Sequence, residues 1–222
     1  MKNSGLAVIT QLHEFDEIID VRSPAEFAED HIPGAISCPV LDDAQRVCIG
    51  TLYKQSPFEA KKAGAVLIAR NIARHLEDHW QQRPKSWHPL IYCWRGGQRS
   101  GAMTHILRQI GFAAERLDGG YKSYRQHVLQ QLPTLPAKLS FRVLCGLTGS
   151  GKSRLLIALE QAGAQVLDLE KIARHRGSVL GDLPDEAQPS QKSFDSQLLA
   201  RLASFDSAIP VYVESESKKW AD

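Results

Sequence analysis

Leu90-Ile91-Tyr92-Cys93-Trp94-Arg95-Gly96-Gly97-Gln98-Arg99-Ser100 decides how the first part of this chain folds. The uncharged run Leu90-Ile91-Tyr92-Cys93 reads as a buried strand. A glycine-rich loop follows, then a helix from about Arg99 to Ile110, with Gly111 as its stop. In a strand–loop–helix of this kind the loop N–H groups converge on one point beside the helix N-terminus. Gly96 and Gly97 permit the positive φ values that such a nest requires. Arg95 and Arg99 add full positive charges. All three effects favour the thiolate, the nucleophilic form of cysteine. Cys93 is therefore the candidate nucleophile, and Trp94, Arg95, Gly96, Gly97, Gln98, Arg99 and Ser100 form an anion cradle around it.

Upstream, Glu17-Ile18-Ile19-Asp20-Val21 reads as a short buried strand. Ser23 can cap a helix whose first residue is Pro24, with Glu26 three residues after the cap. His31-Ile32-Pro33-Gly34-Ala35 is a turn, and residues 36–40 read as a second short strand. Residues 59–80 carry a helical pattern through Ala63, Val66, Leu67, Arg70, Ile72 and Leu76. Pro84 to Pro89 is a loop. Downstream, Glu115-Arg116-Leu117 reads as a strand before Asp118-Gly119-Gly120, and a helix covers 121–131. Strands alternating with helices predict a parallel α/β sheet. Residues 1–132 are expected to form one domain, residues 133–138 a linker, and residues 139–222 a second α/β domain.

The second domain opens on Gly146-Leu147-Thr148-Gly149-Ser150-Gly151-Lys152-Ser153, a full match to G-x-x-x-x-G-K-[ST]. A strand, Leu139 to Cys145, precedes it, and a helix over 152–162 follows. In this motif the amides around Gly146, Gly149, Ser150 and Gly151 wrap a phosphate, Lys152 reaches its oxygens, and Ser153 can hold Mg²⁺. Two further strands, 165–169 and 209–214, end near acidic residues, Asp168 and Glu214, either of which suits a magnesium shell. The 85 residues from 138 onward supply about three strands where a nucleotide-type domain has about five. The cluster Arg174, His175, Arg176 has two readings, contact with ligand or RNA phosphates and a solvated basic face. No metal site is called.

The bulk numbers restrict the function classes. The chain has 222 residues, 43% hydrophobic and 23% charged, an ordinary globular composition. Its apolar runs are too short to span a bilayer, and Met1-Lys2-Asn3-Ser4-Gly5-Leu6 lacks a signal-peptide core. No membrane partner and a cytoplasmic location are expected. Four cysteines without a C-x-x-C pair argue against zinc and a disulfide framework. Residues 1–137 carry 16 Lys and Arg against 14 Asp and Glu, and residues 138–222 carry 11 against 11. Nucleic-acid binding would therefore need a local patch.

Residues 12–135 resemble the rhodanese family, on Asp20-Val21-Arg22-Ser23-Pro24-x-Glu26-Phe27, His31-Ile32-Pro33-Gly34-Ala35, the Cys93 loop and Asp118-Gly119-Gly120. The resemblance implies a persulfide on Cys93, with Asp20 and Arg22 supporting the loop by bracing or by direct chemistry. The usual rhodanese loop is C-x-x-G-x-[RST]. Here it is one residue longer, C-x-x-x-x-x-R, which is also the cysteine-phosphatase signature. A wider cradle suits a tetrahedral phosphate or a bulkier chalcogen.

The whole chain, from near residue 12 to about 219, resembles the bacterial tRNA 2-selenouridine synthases. Tyr92 to Ser100 and Gly146 to Ser153 carry the likeness, with Asp168-Leu169-Glu170, His175-Arg176-Gly177-Ser178, Gln188-Pro189-Ser190-Gln191-Lys192 and Glu214-Ser215-Glu216-Ser217-Lys218. The resemblance implies replacement of sulfur by selenium in wobble 2-thiouridine of tRNA, with selenophosphate as donor. It also implies an S-geranylated intermediate made from geranyl diphosphate. Cys93 would then carry selenium as S-selanylcysteine, and Lys152 with the loop amides would hold the geranyl diphosphate. No tightly bound cofactor is implied. A monomer in transient contact with the selenophosphate-producing enzyme is expected. Lys218-Lys219-Trp220-Ala221-Asp222 departs from the family pattern after Lys219, so a truncated chain with an incomplete second sheet is expected. A generic sulfurtransferase fused to a nucleotide binder and a C-x5-R phosphatase are the rival readings.

Overall fold

The computed structural model describes residues 5–147, 149–175 and 187–215. The chain divides into two compact units, Met1–His127 and Val128–Asp222. Each is described by itself.

The first unit begins with β1 (Leu6–Ala7) and a 3₁₀ turn over Ile9–Glu14. It continues through β2 (Glu17–Asp20), α1 (Pro24–Glu29) and β3 (Ile36–Ser37). Then come α2 (Asp43–Gln55), α3 (Pro57–His75), β4 (Pro89–Tyr92), α4 (Gln98–Ile110), β5 (Glu115–Leu117) and α5 (Gly120–Gln131). All five strands run parallel in the order β1-β5-β4-β2-β3. The parallel α/β sheet expected from the alternation of strands and helices is present.

β4 lies in the middle and is buried along its whole length. A parallel strand covered on both faces is apolar at every position, which is why Leu90-Ile91-Tyr92 does not alternate. Its neighbours in the core are Ile19, Val21, Ile72, Trp80, Trp87, Met103 and Leu107. Trp80 and Trp87 lie 5.6 Å apart, and Phe112 meets Trp87 edge-on at 5.2 Å.

Local signals fix the element ends. Ser23 and Glu26 form a capping box on α1, with Pro24 at its first turn. Gly111, at φ 113°, ends α4 in the left-handed region. The helical pattern over 59–80 is α3, which begins at Pro57 and passes into a π-helical turn over Leu76–Trp80. The strand expected over 36–40 is shorter, two residues, because Pro39 has no N–H to continue the ladder. Pairing persists past its end through Cys38 N–H to Asp20 O at 2.9 Å. α2 has no counterpart in the sequence reading. It buries none of its residues, so no apolar stripe announces it. Its start is nonetheless encoded: Asp42 accepts from Gln45 N–H at 2.7 Å, and Gln45 Oε1 accepts from Asp42 N–H.

The second unit holds β6 (Phe141–Leu144), α6 (Lys152–Gln161), β7 (Gln165–Leu167), α7 (Leu169–Ala173), α8 (Gln191–Ala203) and β8 (Val211–Glu214). Its sheet, among the described residues, has the three expected strands, parallel in the order β6-β8-β7. The core is Leu167, Leu202 and Val211, against which Leu132, Leu135, Leu139 and Phe141 pack. The segment 133–138 thus contributes a side chain, Leu135, to this core and forms a 3₁₀ turn over Pro136–Lys138. The strand expected over 165–169 stops at Leu167 because Asp168 caps α7, accepting from Lys171 N–H at 2.9 Å. No helix among the described residues is long and apolar enough to cross a membrane.

Candidate active site

Cys93 stands at the end of β4, where the sheet delivers it to the N-terminus of α4. The N–H of Gly97 donates to its Sγ at 3.3 Å. Ser100 Oγ lies 3.1 Å from the same sulfur and 3.3 Å from the Gly97 carbonyl. The thiol is almost wholly enclosed, and Trp94 and Arg95 stand outside it in solvent. Gly96, at φ +63°, turns the loop, and a Cβ there would press on the Leu117 carbonyl at 2.8 Å.

The back of the cradle is made by α5. Tyr121 N–H donates to Cys93 O at 2.8 Å, and Lys122 N–H to Trp94 O at 3.0 Å. These bonds satisfy loop carbonyls with the free amides of a helix N-terminus. They require close approach: a Cβ on Gly120 would collide with the Cys93 carbonyl and the Gly96 nitrogen. This is the physical use of Asp118-Gly119-Gly120.

Asp20 and Arg22 are both buried and form a chelate, with Arg22 Nη2 2.6 Å from Asp20 Oδ2 and Nε 3.0 Å from both carboxylate oxygens. Arg22 Nη2 also donates to Asp30 O at 2.6 Å. Its guanidinium lies 4.0 Å from the centre of the Tyr121 ring. Tyr121 in turn donates its hydroxyl to Asp30 Oδ2 at 2.7 Å. Burial, then this bond to Asp30, pushes the Tyr121 phenol upward. Burial and the Asp20 charge likewise hold the Tyr92 phenol well above its usual value. The ion pair therefore reaches the cysteine loop through the Tyr121 ring. Tyr121 and Asp30 were not singled out by sequence reading, though Tyr121 follows directly on the Gly119-Gly120 signal.

Arg99 departs from the expectation that it adds charge to the cradle. Its Nη1 donates to Glu26 Oε2 at 2.7 Å, so a carboxylate offsets it. Burial opposes ionisation of Glu26, but the Arg99 bond and charge, with Ser23 N–H and Arg46 behind them, outweigh it and hold the carboxyl below its usual value. This arrangement ties α4 to α1. It does not present a free guanidinium fork of the kind a C-x5-R phosphatase would aim at its substrate.

In the second unit the phosphate loop joins β6 to α6. Gly149 (φ 82°) and Gly151 (φ 85°) take left-handed turns. Lys152 Nζ donates to Gly146 O at 2.8 Å and Leu147 O at 3.2 Å, folding the ammonium over the loop. Ser153 lies in the first turn of α6. β8 pairs with β6 in the register Leu144↔Glu214, which sets Glu214 beside the strand that leads into the loop. Asp168 is engaged as a helix cap. Arg174 takes φ 51° at the end of α7, where its N–H binds carbonyls of that helix, and His175 N–H donates to Glu170 O at 3.0 Å. Arg176 and Thr148 lie outside the described residues. Ser190, in the stretch Gln188 to Lys192 that carries part of the family likeness, caps α8 by accepting from Ser193 N–H at 3.1 Å. No group of three or more metal-ligating side chains occurs among the described residues.

Residues 7–127 match the Rhodanese-like domain, and residues 139–220 match the tRNA 2-selenouridine synthase AAA domain. A tRNA 2-selenouridine synthase of Nitrosomonas europaea is 36% identical over 98% of this chain and 58% of its own length. One from Bdellovibrio bacteriovorus is 34% identical over 90% of this chain and 54% of its own. The chain thus spans between half and three-fifths of the length of these relatives. The solved N-terminal domain of a protein named as an ATP/GTP binding protein, from Clostridium difficile 630, aligns with a TM-score of 0.50 at 32% identity. That alignment covers 56% of this chain and 98% of that one. The Cys93 cradle braced by Gly119-Gly120, the phosphate loop behind it in sequence and these matches agree: the chain belongs to the rhodanese-like family and joins that domain to the AAA domain of the tRNA 2-selenouridine synthases.

Proposed function

We propose that this chain performs the chemistry of a tRNA 2-selenouridine synthase, replacing the sulfur of wobble 2-thiouridine in tRNA by selenium from selenophosphate. The observation that carries the reading is the pairing, in one chain, of a sulfur nucleophile in an amide-lined cradle with a phosphate loop. The loop grips geranyl diphosphate through its amides and Lys152. The thiouridine sulfur attacks the allylic carbon, the new C–S bond forms, and diphosphate leaves. Positive charge around the leaving group is what lowers the barrier to such a departure. Ser153 and Glu214 would supply the oxygen ligands that Mg²⁺ prefers, and the ion would neutralise the diphosphate.

Geranylation turns a poor leaving group into a thiolate that selenium can displace at C2 of the base. The selenium of selenophosphate attacks C2, the geranyl thiolate leaves, and water then cleaves the Se–P bond to release phosphate and 2-selenouridine, with the incoming anion held at the cradle of Cys93. The Gly97 amide and the Ser100 hydroxyl position its sulfur. Asp20 and Arg22 brace the cradle through Tyr121 rather than touching substrate. The reaction belongs in the cytoplasm beside the tRNA pool, with the chain acting as a monomer and selenophosphate passed on through brief contact with the enzyme that makes it.

The test is direct. The protein is incubated with 2-thiouridine tRNA and selenophosphate, with and without geranyl diphosphate, and the nucleosides are analysed by mass spectrometry. Geranylated and then selenated uridine is the expected result. Cys93→Ser accumulates the geranylated nucleoside without selenation, and Lys152→Ala makes neither. Absence of both products from the wild-type chain overturns the proposal for this chain.

A further inference from the structure

We infer that the apolar cleft between α2, α3 and α4 of the first unit is the seat of the prenyl chain of an S-prenylated nucleotide while Cys93 acts on that nucleotide. The inference rests on the reading above and names the part of the substrate the cleft would take.

The cleft has a volume of about 340 Å³, at the lower end of small-molecule sites. Small residues of α3 line it, Ala60 and Gly64 one turn apart and Ala65 and Ala69 one turn apart further round the helix. They leave a trough where larger side chains would have filled it. Ile49 from α2 and Ile106 from α4 wall it, and Lys61 and Gln98 are among its few polar members. A site so short of polar groups offers an aliphatic chain burial and offers a sugar or a bare base very little.

Position identifies the occupant. Gln98 belongs both to this cleft and to the cysteine loop, next in sequence to Gly97, whose amide touches Cys93 Sγ. A second, open cleft of about 630 Å³ runs along α2 and shares Ile49 and Tyr53 with the first. It carries Lys54 together with Arg46 and Arg99, a member of the cysteine loop; these two arginines share the single carboxylate of Glu26, so the trough keeps a net positive charge. One apolar trough and one basic trough therefore meet at Tyr53, which is about half exposed, and both end on the loop that holds the nucleophile. An RNA nucleotide with an aliphatic chain on its base has the same division. Its chain needs a dry trough, its phosphates need cations, and its base can stack on an aromatic ring. A detached lipid or an apolar peptide helix would use the first trough and leave the basic one without purpose.

The experiment measures equilibrium binding of two anticodon-loop oligonucleotides to the full chain, one with 2-thiouridine and one with S-geranyl-2-thiouridine. Wild type is expected to bind the geranylated oligonucleotide at least about tenfold more tightly. Ala65 and Ala69 are exposed positions of α3. Ala65→Phe and Ala69→Phe, each verified as folded by its thermal transition, are expected to remove that preference and leave the 2-thiouridine affinity in place. Lys54→Ala is expected to weaken both oligonucleotides alike. The inference is overturned if wild type shows no preference, if the preference survives both fillings, or if filling weakens both oligonucleotides equally. Selenium incorporation that is indifferent to the fillings would leave the proposed reaction standing and remove the cleft from it. A preference that filling abolishes, in a protein that incorporates no selenium, would keep the cleft and remove the reaction.

Discussion

The backbone N–H of Tyr121 donates to the carbonyl oxygen of Cys93 at 2.8 Å, so the first turn of α5 holds the cysteine loop by its main chain. The contact exists only because nothing projects from Gly120, which sits at φ +59° against the Cys93 carbonyl and Gly96 nitrogen. Gly120→Ala must move one of two backbones and also hold an L-residue in the left-handed region. Each effect costs about 1–3 kcal/mol. The expected outcome is a loss of about 2–4 kcal/mol in urea unfolding, with Cys93 no longer shielded from alkylation in the native protein. A variant as stable as wild type would show that α5 does not clamp the loop.

The buried pair of Asp20 and Arg22 predicts a second asymmetry. Removing one partner leaves the other charged and without water, a change that costs about 3–5 kcal/mol. Arg22→Met should therefore be far more damaging than an exposed arginine change such as Arg70→Met, which should stay within about 0.5 kcal/mol. The double variant Asp20→Asn with Arg22→Met should recover part of the loss. Chemical denaturation of wild type, Asp20→Asn, Arg22→Met and the double variant measures the coupling, and strict additivity would show that the pair does not act as a unit.

How much of this was legible in the sequence differs between the two layers of the site. The cradle was readable in part because its chemistry is local: Cys93, Gly96 and Gly97 lie within five residues, and Gly96 takes the positive φ expected of it, whereas Gly97, at φ −92°, does not and serves through its amide instead. Helix and strand limits around it were readable for the same reason, through Pro24, Gly111 and the apolar run of β4. The support behind the cradle was only partly readable. Asp20 and Arg22 were marked by resemblance, but the link from Arg22 to the loop passes through Tyr121, about a hundred residues downstream, and no spacing encodes it. The pairing of Glu26 with Arg99 is likewise non-local, and it offsets the charge that Arg99 was expected to add. α2 escaped because a helix that buries none of its side chains has no apolar period to detect.

Glu26 also gives the protein a pH-dependent tie. Its folded carboxyl titrates below the unfolded value of 4.5, because the Arg99 bond and charge outweigh burial. A depressed carboxylate adds stability that is fully present above the unfolded pKa and is lost as pH falls through the folded one. The difference in unfolding free energy between wild type and Glu26→Gln should thus be constant near neutrality and shrink below about pH 4.5. Stability curves of the two proteins from pH 3 to 7 measure it, and a difference independent of pH would dissociate Glu26 ionisation from the tie between α1 and α4.

Ser100 tests how the cradle treats its sulfur. Its hydroxyl lies 3.1 Å from Cys93 Sγ, and the Gly97 amide at 3.3 Å is the other polar contact the sulfur makes. A typical hydrogen bond contributes about 0.5–1.5 kcal/mol net, and leaving a buried partner unsatisfied costs about 1–3 kcal/mol. Ser100→Ala should therefore cost no more than about 1–3 kcal/mol of stability and slow selenation of the geranylated tRNA by about tenfold or more. Geranylation, which the proposed function assigns to the phosphate loop, should be unaffected. Selenation and geranylation slowed by equal factors would mean that Ser100 serves the fold of the whole chain rather than the sulfur, and the two rates measured on one preparation decide between these outcomes.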